Sequence, residues 1–167
     1  MHPHAPRVPQ AMPARDLIRT LDLTRHPEGG WYRELYRSPA RVTARQGDRS
    51  AVTTIYYLLE QAEHSRWHVV ASDEIWHFLA GAALELLSYD PAARALRRHV
   101  LDRPREGCEP VAVVPAGLWQ AARSLGEYSL IGCCVGPGFE FADFRFVASL
   151  PEHTAHFDRL GEFRELL

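Results

Sequence analysis

Lysine and asparagine are both absent from this chain of 167 residues, and all 19 basic side chains are arginine. Enzymes that form a Schiff base use a lysine amine, and the Walker-type phosphate loop also requires a lysine. N-linked glycosylation needs an asparagine as its acceptor. The sequence therefore excludes Schiff-base catalysis, a P-loop nucleotide site and N-glycosylation.

Cysteine is scarce: the chain has three, and two of them, Cys133 and Cys134, are adjacent. Adjacent residues on a strand point to opposite faces of the sheet, and no CxxC spacing occurs. We therefore expect neither a disulfide framework nor a structural zinc site. Unpaired cysteines that act as small apolar side chains are typical of a reducing compartment, so the sequence predicts a cytoplasmic protein.

Long apolar runs and blocks of basic residues are also absent. No stretch approaches the roughly 20 apolar residues of a membrane helix, and no signal peptide is visible. Nucleic-acid binding normally needs a concentrated cationic face, whereas the net charge of this chain is -2. We therefore expect neither a membrane nor a nucleic acid among the partners.

The residues that are present describe one β-rich domain. Four prolines near the start predict a disordered arm over residues 1–13, followed by a single domain over residues 14–167. Apolar residues at helical spacing predict a short helix over residues 14–23. Short β-rich stretches with Gly/Pro turns between them then indicate a sandwich or barrel. The predicted strands cover residues 31–38, 51–59, 67–70, 74–79, 84–89, 96–101, 111–114, 128–135 and 141–147.

Three motifs contain most of the residues that can carry chemistry. His-Pro-Glu-Gly-Gly-Trp-Tyr-Arg-Glu-Leu-Tyr-Arg-Ser occupies residues 26–38, and Ser-Asp-Glu-Ile-Trp-His-Phe occupies residues 72–78. Pro-Ala-Gly-Leu-Trp-Gln occupies residues 115–120. None of them is a nucleophile elbow, a dinucleotide loop or a paired-cysteine site.

Together these motifs resemble the cupin superfamily over residues 26–147. His68, Glu74 and Gly81 have the spacing of the first cupin motif. More narrowly, the three motifs resemble a branch of small single-domain cupins of unknown function. The resemblance implies an all-β fold, namely the cupin double-stranded β-helix or jelly-roll barrel, with a short N-terminal helix. It also implies a homodimer.

Metal-binding cupins hold their ion with three histidines and a glutamate, and this chain departs from that set. Val70 stands in place of the second histidine and Gln120 in place of the third, so only His68 and Glu74 remain. Two strong ligands rarely hold a catalytic transition metal. We expect no cofactor, although a divalent metal held weakly by His68, Glu74 and the Gln120 carbonyl stays open as an alternative.

Strand alternation assigns side chains to the barrel interior. If Glu74 points inward, Trp76 does so as well, while His77 points outward unless a bulge reverses the order. His68 and Val70 share one face of the preceding strand. Phe139, Phe141, Phe144 and Phe146 are interpreted as core packing.

The first motif predicts a binding wall. On a regular strand, Arg33 and Arg37 share one face while Glu34 and Tyr36 share the other. Two arginines on one face suit an anionic ligand, with surface ion pairs as the alternative. Thr54 and Tyr56 lie on the next predicted strand and are expected to line the same cavity.

The leading functional hypothesis is a metal-independent epimerase or isomerase acting on a small anionic, sugar-like or nucleotide-like ligand. His68 is the expected base, Tyr56 or Tyr36 the acid, and Glu74 the titratable partner of His68. Two alternatives stay open: a non-catalytic cupin that binds a small molecule, and a metal-dependent cupin enzyme. The expected ligand-binding residues are Arg33, Glu34, Tyr36, Arg37, Thr54, Trp76, His77 and Gln120.

Overall fold

The computed structural model describes residues 12–45 and 47–167, except for the side chains of Pro151 and Thr154. The predicted all-β fold is confirmed: two antiparallel sheets face each other, and one short helix precedes them. Most of the predicted disordered arm, residues 1–13, lies outside the described residues, and the assignment of residues 14–167 to a single domain stays a prediction. Within the described part of the chain, no helix is long and apolar enough to cross a membrane.

The regular elements follow one another along the chain with short connections. They are α1 (Ala14–Thr20), β1 (Thr24–Arg25), β2 (Trp31–Arg37), β3 (Arg41–Ala44), β4 (Gly47–Ser50), β5 (Thr53–Glu60), β6 (His64–Val70), β7 (Asp73–Gly81), β8 (Leu84–Asp90), β9 (Ala95–Leu101), β10 (Val111–Val114), β11 (Trp119–Ser124), β12 (Tyr128–Gly136) and β13 (Phe144–Phe146). Short 3-10 turns flank β13, and a 3-10 segment covers Pro151–Leu166 with an interruption at Gly161.

Two sheets form the jelly roll. The six-stranded sheet has the order β1-β2-β5-β12-β7-β10, and the five-stranded sheet has the order β13-β6-β11-β8-β9. The small hairpin β3-β4 stands apart from both. Non-consecutive neighbours, such as β12 between β5 and β7, bring distant segments of sequence to one wall of the barrel.

The main core lies between the two sheets. Tyr57, Trp76 and Ile131 of the six-stranded sheet pack against Leu84 and Leu86 of the five-stranded sheet, and each is at most 1% exposed. Burying apolar side chains of this size stabilises the fold by roughly 1.5–3 kcal/mol each. The interior is therefore a packed core over most of its length, and any ligand site is confined to the part that the core leaves open.

Two further apolar clusters cover the outer faces of the sheets. The helix α1 places Ala14 against Leu58 and Leu130 on the six-stranded sheet. The C-terminal 3-10 segment places Phe157 and Leu160 against the outer face of the five-stranded sheet. Strands that are covered on both faces lose the alternation of apolar and polar residues that marks a half-exposed strand.

The strand predictions are confirmed in all but a few places. Each predicted strand matches an observed one with its ends shifted by at most three residues. Within residues 141–147 only Phe144–Phe146 pairs as a strand, and short 3-10 turns flank it. Four strands were not predicted: β11, which is nearly fully buried and shows no alternation, the short β1, and the two strands of the hairpin β3-β4.

Candidate functional site

A cavity opens between the two sheets and reaches solvent at one end. Its volume of about 130 Å³ is close to the roughly 150 Å³ of a protein cavity that binds benzene. Its interior can therefore hold the core of a small molecule but not a whole nucleotide. The lining residues are His26, Glu28, Tyr32, Glu34, Arg37, Thr53, Ile55, His68, Val70, Glu74, Cys133, Val135, Phe139, Glu140 and Phe141.

The floor of the cavity is a hydrogen-bonded group around the amide of Gln120. The amide nitrogen donates to Oε2 of Glu74 over 2.5 Å and to Nε2 of His68 over 3.0 Å. The amide oxygen accepts from the Trp76 indole over 3.2 Å, which fixes the orientation of the amide. Nδ1 of His68 donates to the backbone oxygen of Arg66 over 2.7 Å. In this tautomer the neutral imidazole turns the lone pair of Nε2 toward Gln120.

Strand alternation and register bring these side chains together. Glu74 and Trp76 are two residues apart on β7, so they share its inward face. His68 lies opposite Gln120 where β6 pairs with β11. Val70 also lines the cavity, two residues beyond His68. The inward face predicted from alternation is therefore the face on which the structure places these residues.

A second carboxylate enters the floor from the turn at residues 26–30. Oε1 of Glu28 accepts from the hydroxyl of Ser65 over 2.9 Å. Oε2 of Glu28 lies 3.4 Å from Nε2 of His68 and 3.7 Å from Nδ1 of His26. The backbone N–H of Glu28 donates to Nδ1 of His26 over 3.3 Å, so the neutral ring of His26 carries its proton on Nε2.

Burial controls the titration of the cavity floor. It raises the pKa of Glu74 from 4.5 to about 7, although nearby His68 opposes the shift. Burial also lowers the pKa of His26, and it raises the pKa of the Cys133 thiol, where Glu74 adds to the effect. Near neutral pH the Glu74 carboxyl is therefore divided between its acid and carboxylate forms, while His26 is neutral.

The mouth of the cavity is built around Arg37. Its guanidinium donates to both carboxylate oxygens of Glu34, over 3.1 and 2.8 Å. It also donates to Glu140 over 2.9 Å and twice to the backbone oxygen of Phe139 over 3.1 Å. These contacts tie β2 to the segment after β12, and Phe141 forms part of the rim with 52% of its surface exposed.

The structure places only part of the predicted site in this cavity. Glu34, Arg37, His68 and Glu74 line it, with Gln120 and Trp76 directly behind the lining. Arg33, Tyr36, Thr54, Tyr56 and His77 are not among the lining residues.

A bulge in β2 explains the placement of the arginines. The pairing of β2 with β5 shifts between Glu34 and Tyr36, where Leu35 is the extra residue. Arg37 therefore lies on the cavity side with Glu34, while Tyr36 is 50% exposed. Arg33 lies over the ring of Tyr56, with its guanidinium carbon 5.8 Å from the ring centre. The prediction that both arginines share one face is wrong, because it assumed a regular strand.

The remaining three residues lie on outward faces of the six-stranded sheet. Thr53 and Ile55 of β5 line the cavity. Side chains alternate along a strand, so Thr54 and Tyr56 point to the opposite face of the sheet. Tyr56 packs into the cluster that α1 covers. His77 contacts a backbone oxygen of β12 across 3.2 Å, as expected for the outward position that alternation gives it.

Several lining residues were not singled out from the sequence as members of the site. They are His26, Glu28, Tyr32, Cys133, Phe139, Glu140 and Phe141. The motif at residues 26–38 contained the first three, but no local pattern shows that the turn folds over the barrel. Phe139 and Phe141 were interpreted as core, and both line the cavity instead.

Two facing sheets that enclose such a cavity define a jelly roll of the cupin type. The family described as Cupin superfamily (DUF985) matches residues 15–147, and the chain belongs to that family. A comparison with curated proteins finds no match.

Solved structures share this fold. A hypothetical protein from Leishmania major is 34% identical with a TM-score of 0.78, over 86% of this chain and 93% of that one. A protein from Shewanella oneidensis is also 34% identical, with a TM-score of 0.75 over 87% of this chain and 94% of that one. Bacillus subtilis oxalate decarboxylase is 17% identical with a TM-score of 0.57, over 80% of this chain and 32% of that one, and shares the fold alone.

The side chains at the cupin metal position do not fit a metal ion. Gln120 directs its amide nitrogen toward His68 and Glu74, so N–H protons occupy the lone pairs that a metal would need. Its oxygen, the atom that could serve as a ligand, accepts from Trp76 instead. Among residues 12–45 and 47–167, no group of three or more His, Cys, Asp or Glu side chains could hold a metal ion.

Proposed function

We propose that this cavity catalyses metal-independent proton transfer on a small carbonyl compound, the chemistry of an isomerase or epimerase. The observation that carries the proposal is Glu74, a buried carboxyl group with a pKa of about 7 at the floor of a solvent-connected cavity. A general acid or base works best when its pKa lies near the working pH. Strongly shifted carboxyl groups in clefts are also frequent at catalytic sites.

The roles follow from the contacts on the floor. In its acid form, Glu74 donates a hydrogen bond to the carbonyl oxygen of the substrate and stabilises the enolate that forms. Glu28 and His68 form the basic half: Oε2 of Glu28 takes the proton from carbon, and Nε2 of His68, which accepts from Gln120, lies 3.4 Å from that oxygen. Gln120 keeps the two halves apart by donating to both.

This assignment revises the hypothesis drawn from the sequence. Tyr36 and Tyr56 do not line the cavity, and Glu74 takes the acid role that was expected of them. His68 stays in the basic half. The Gln120 amide supports a mechanism without a metal, because it already occupies the space between the two surviving residues of the metal motif.

Non-catalytic binding of a small molecule is the second candidate. In the described part of the chain, every fully buried side-chain nitrogen and oxygen already has a hydrogen-bond partner. The floor is thus satisfied without a substrate, which suits a stable binding pocket as well as a preorganised catalytic one. We also propose that the protein works in the cytoplasm, which its unpaired cysteines favour, and as a homodimer, which the family resemblance implies.

Solvent-deuterium exchange tests the catalytic proposal even where the product is unidentified. Hydroxyacetone, dihydroxyacetone, glyceraldehyde and aminoacetone are incubated with the protein in D2O containing a chelator, and proton NMR follows loss of the C–H signal beside the carbonyl. We expect exchange with at least one probe, and Glu74→Gln should slow it by about 100-fold or more. Glu106→Gln, at an exposed position, is the matched control and should exchange at the wild-type rate.

Two results would contradict the proposal. One is exchange no faster than in buffer for every probe, and the other is exchange that Glu74→Gln leaves unchanged. Binding of a probe without exchange would instead support the non-catalytic candidate, and it can be detected in the same samples by line broadening of the probe signals.

A further inference from the structure

The cavity wall has an excess of negative charge. Four carboxyl groups line it, those of Glu28, Glu34, Glu74 and Glu140, against the single guanidinium of Arg37. His26 adds no compensating charge, because burial lowers its pKa and its Nδ1 accepts from the backbone N–H of Glu28. Even with Glu74 in its acid form, the carboxylates outnumber the cation, so the field in the cavity favours a positive ligand group.

Arg37 is not available to an anion. Its Nε and Nη2 donate to Glu34, its Nη1 donates to Glu140, and both terminal nitrogens donate to the backbone oxygen of Phe139. A guanidinium has five N–H donors, and the five bonds observed account for all of them. A phosphate or carboxylate would have to displace protein carboxylates from this group.

The floor also presents a carboxylate acceptor. Oε2 of Glu28 lies 3.4 Å from Nε2 of His68 and 3.7 Å from Nδ1 of His26, and these nitrogens accept from Gln120 and from the Glu28 backbone instead of donating to that oxygen. The N–H groups of Gln120 and Trp76 already donate to other groups of the floor. A ligand that brings its own N–H donors complements such a surface.

Aromatic rings complete the wall above this floor. The ring of His26 stacks on Phe141 at 6.1 Å between centres and meets Tyr32 edge-on at 4.6 Å. Phe139 meets Phe141 edge-on at 5.1 Å. Aromatic faces combined with carboxylates are the surroundings in which proteins bind organic ammonium groups, through cation–π attraction and desolvated charge pairing.

We propose that the cavity selects a small organic cation, a ligand whose benzene-sized body carries a primary or secondary ammonium group. This inference rests on the proposed function only in using the same cavity, and it names the class of substrate: an amine-bearing carbonyl compound. It replaces the anionic ligand expected from the sequence, because Arg33 and Arg37 do not form the paired anion site on which that expectation depended.

Three probes of one shape and different charge test the selectivity: cyclohexylamine, cyclohexanol and cyclohexanecarboxylate at pH 7.5. Dissociation constants are measured by NMR titration of the wild-type protein. We expect the amine to bind at least tenfold more tightly than the alcohol, and the carboxylate to bind more weakly than either. The proposal is overturned if the carboxylate binds most tightly, or if the amine and the alcohol bind equally.

Two variants connect the selectivity to the wall. Glu140→Gln removes a charge at the exposed mouth, where side-chain exposure is 44%, and frees an N–H of Arg37. It should reduce the amine-to-alcohol ratio and raise affinity for the carboxylate, whereas Glu106→Gln should change neither ratio. The proposal would also be overturned if the amine-to-alcohol ratio were unchanged in both Glu140→Gln and Glu28→Gln.

The binding assay is independent of turnover, so the two proposals can fail separately. Amine preference without deuterium exchange would leave the ligand class in place and remove the catalytic role. Exchange of hydroxyacetone without any preference for the amine would leave the catalytic role in place and remove the proposed ligand class.

Discussion

At the scale of single residues, the amide of Gln120 is the group on which the most partners depend. Removing it leaves the Trp76 indole, the His68 imidazole and the Glu74 carboxyl without the bonds they now make in the core. An unpaired buried polar group costs about 1–3 kcal/mol. This residue also bears on the chemistry, because a histidine at its position would offer a nitrogen ligand, whereas the oxygen of the Gln120 amide accepts from Trp76.

Gln120→Leu should therefore lower the free energy of unfolding by about 2 kcal/mol or more. The variant replaces the amide with an apolar side chain of similar size, so the loss reports the hydrogen bonds and not a large cavity. Urea denaturation followed by tryptophan fluorescence measures it. Gln61→Leu, at an exposed turn, is the matched control and should change stability by less than about 0.5 kcal/mol. Equal losses in the two variants would show that the network adds little.

The buried carboxyl of Glu74 predicts how stability depends on pH. Its pKa is raised from 4.5 to about 7 on folding, so the folded state holds the proton more tightly than the unfolded state. The contribution of Glu74 to the free energy of unfolding should therefore fall as pH rises from about 4.5 through 7, by on the order of 3 kcal/mol for the whole shift. Glu74→Gln mimics the acid form and should be free of this loss.

Urea midpoints of the wild type and Glu74→Gln, compared from pH 5 to pH 8, measure the effect. The two proteins should be similar in stability at pH 5, and the variant should be the more stable at pH 8. A wild-type advantage that grows with pH would show that the carboxylate is stabilised in the fold, contrary to the raised pKa. Glu106→Gln should follow the wild type at every pH.

At the scale of the elements, side-chain direction could be predicted where a strand is regular and not where it bulges. On β7, alternation from Glu74 places Trp76 inward and His77 outward, as the structure has them. On β2, one extra residue at Leu35 reverses the faces beyond it, and Arg37 enters the cavity in place of Tyr36. Nothing in the local sequence marks that bulge, because it depends on the pairing of β2 with β5.

The turn at residues 26–30 is the element that carries Glu28 and His26 to the floor. Gly29 has a φ of 116°, and a Cβ there would overlap the backbone oxygen of His64 on β6. Gly117 has a comparable φ of 82° but nothing within 4 Å of the added carbon. Alanine substitutions at these two glycines therefore separate the cost of backbone strain from the cost of steric overlap.

Gly117→Ala should cost about 1–2 kcal/mol, the strain of a left-handed alanine. Gly29→Ala should cost about 3 kcal/mol or more, because overlap with β6 adds about 1–3 kcal/mol to the same strain. Denaturation curves measure both, and the displaced turn should also weaken binding of cyclohexylamine in Gly29→Ala only. Equal costs for the two alanines would mean that β6 moves freely away from the turn.

At the scale of the whole molecule, the fold was predictable and the site only in part. Many short strands separated by turns indicate a sandwich or barrel, and the resemblance to cupins implies a jelly roll. The spacing of His68, Glu74 and Gly81 belongs to β6 and β7, two strands that follow each other in the chain but lie in different sheets. The cavity, however, draws Phe139 and Glu140 from a segment about 100 residues away from β2. Contacts at that separation arise from the closure of the barrel, and a periodicity read along one strand does not contain them.

The outer face of the six-stranded sheet predicts how whole chains associate. Leu79, Val111 and Val113 are 48%, 41% and 50% exposed on β7 and β10, and large apolar side chains grouped on a surface are typical of protein interfaces. We expect light scattering to give twice the chain mass of 18.9 kDa. Val113→Arg should return the mass to one chain, because a charge in the centre of the contact would be buried without a partner. Val42→Arg, on the hairpin β3-β4, should leave it doubled. A single-chain mass for the wild type, or equal effects of the two arginines, would remove this face as the dimer contact.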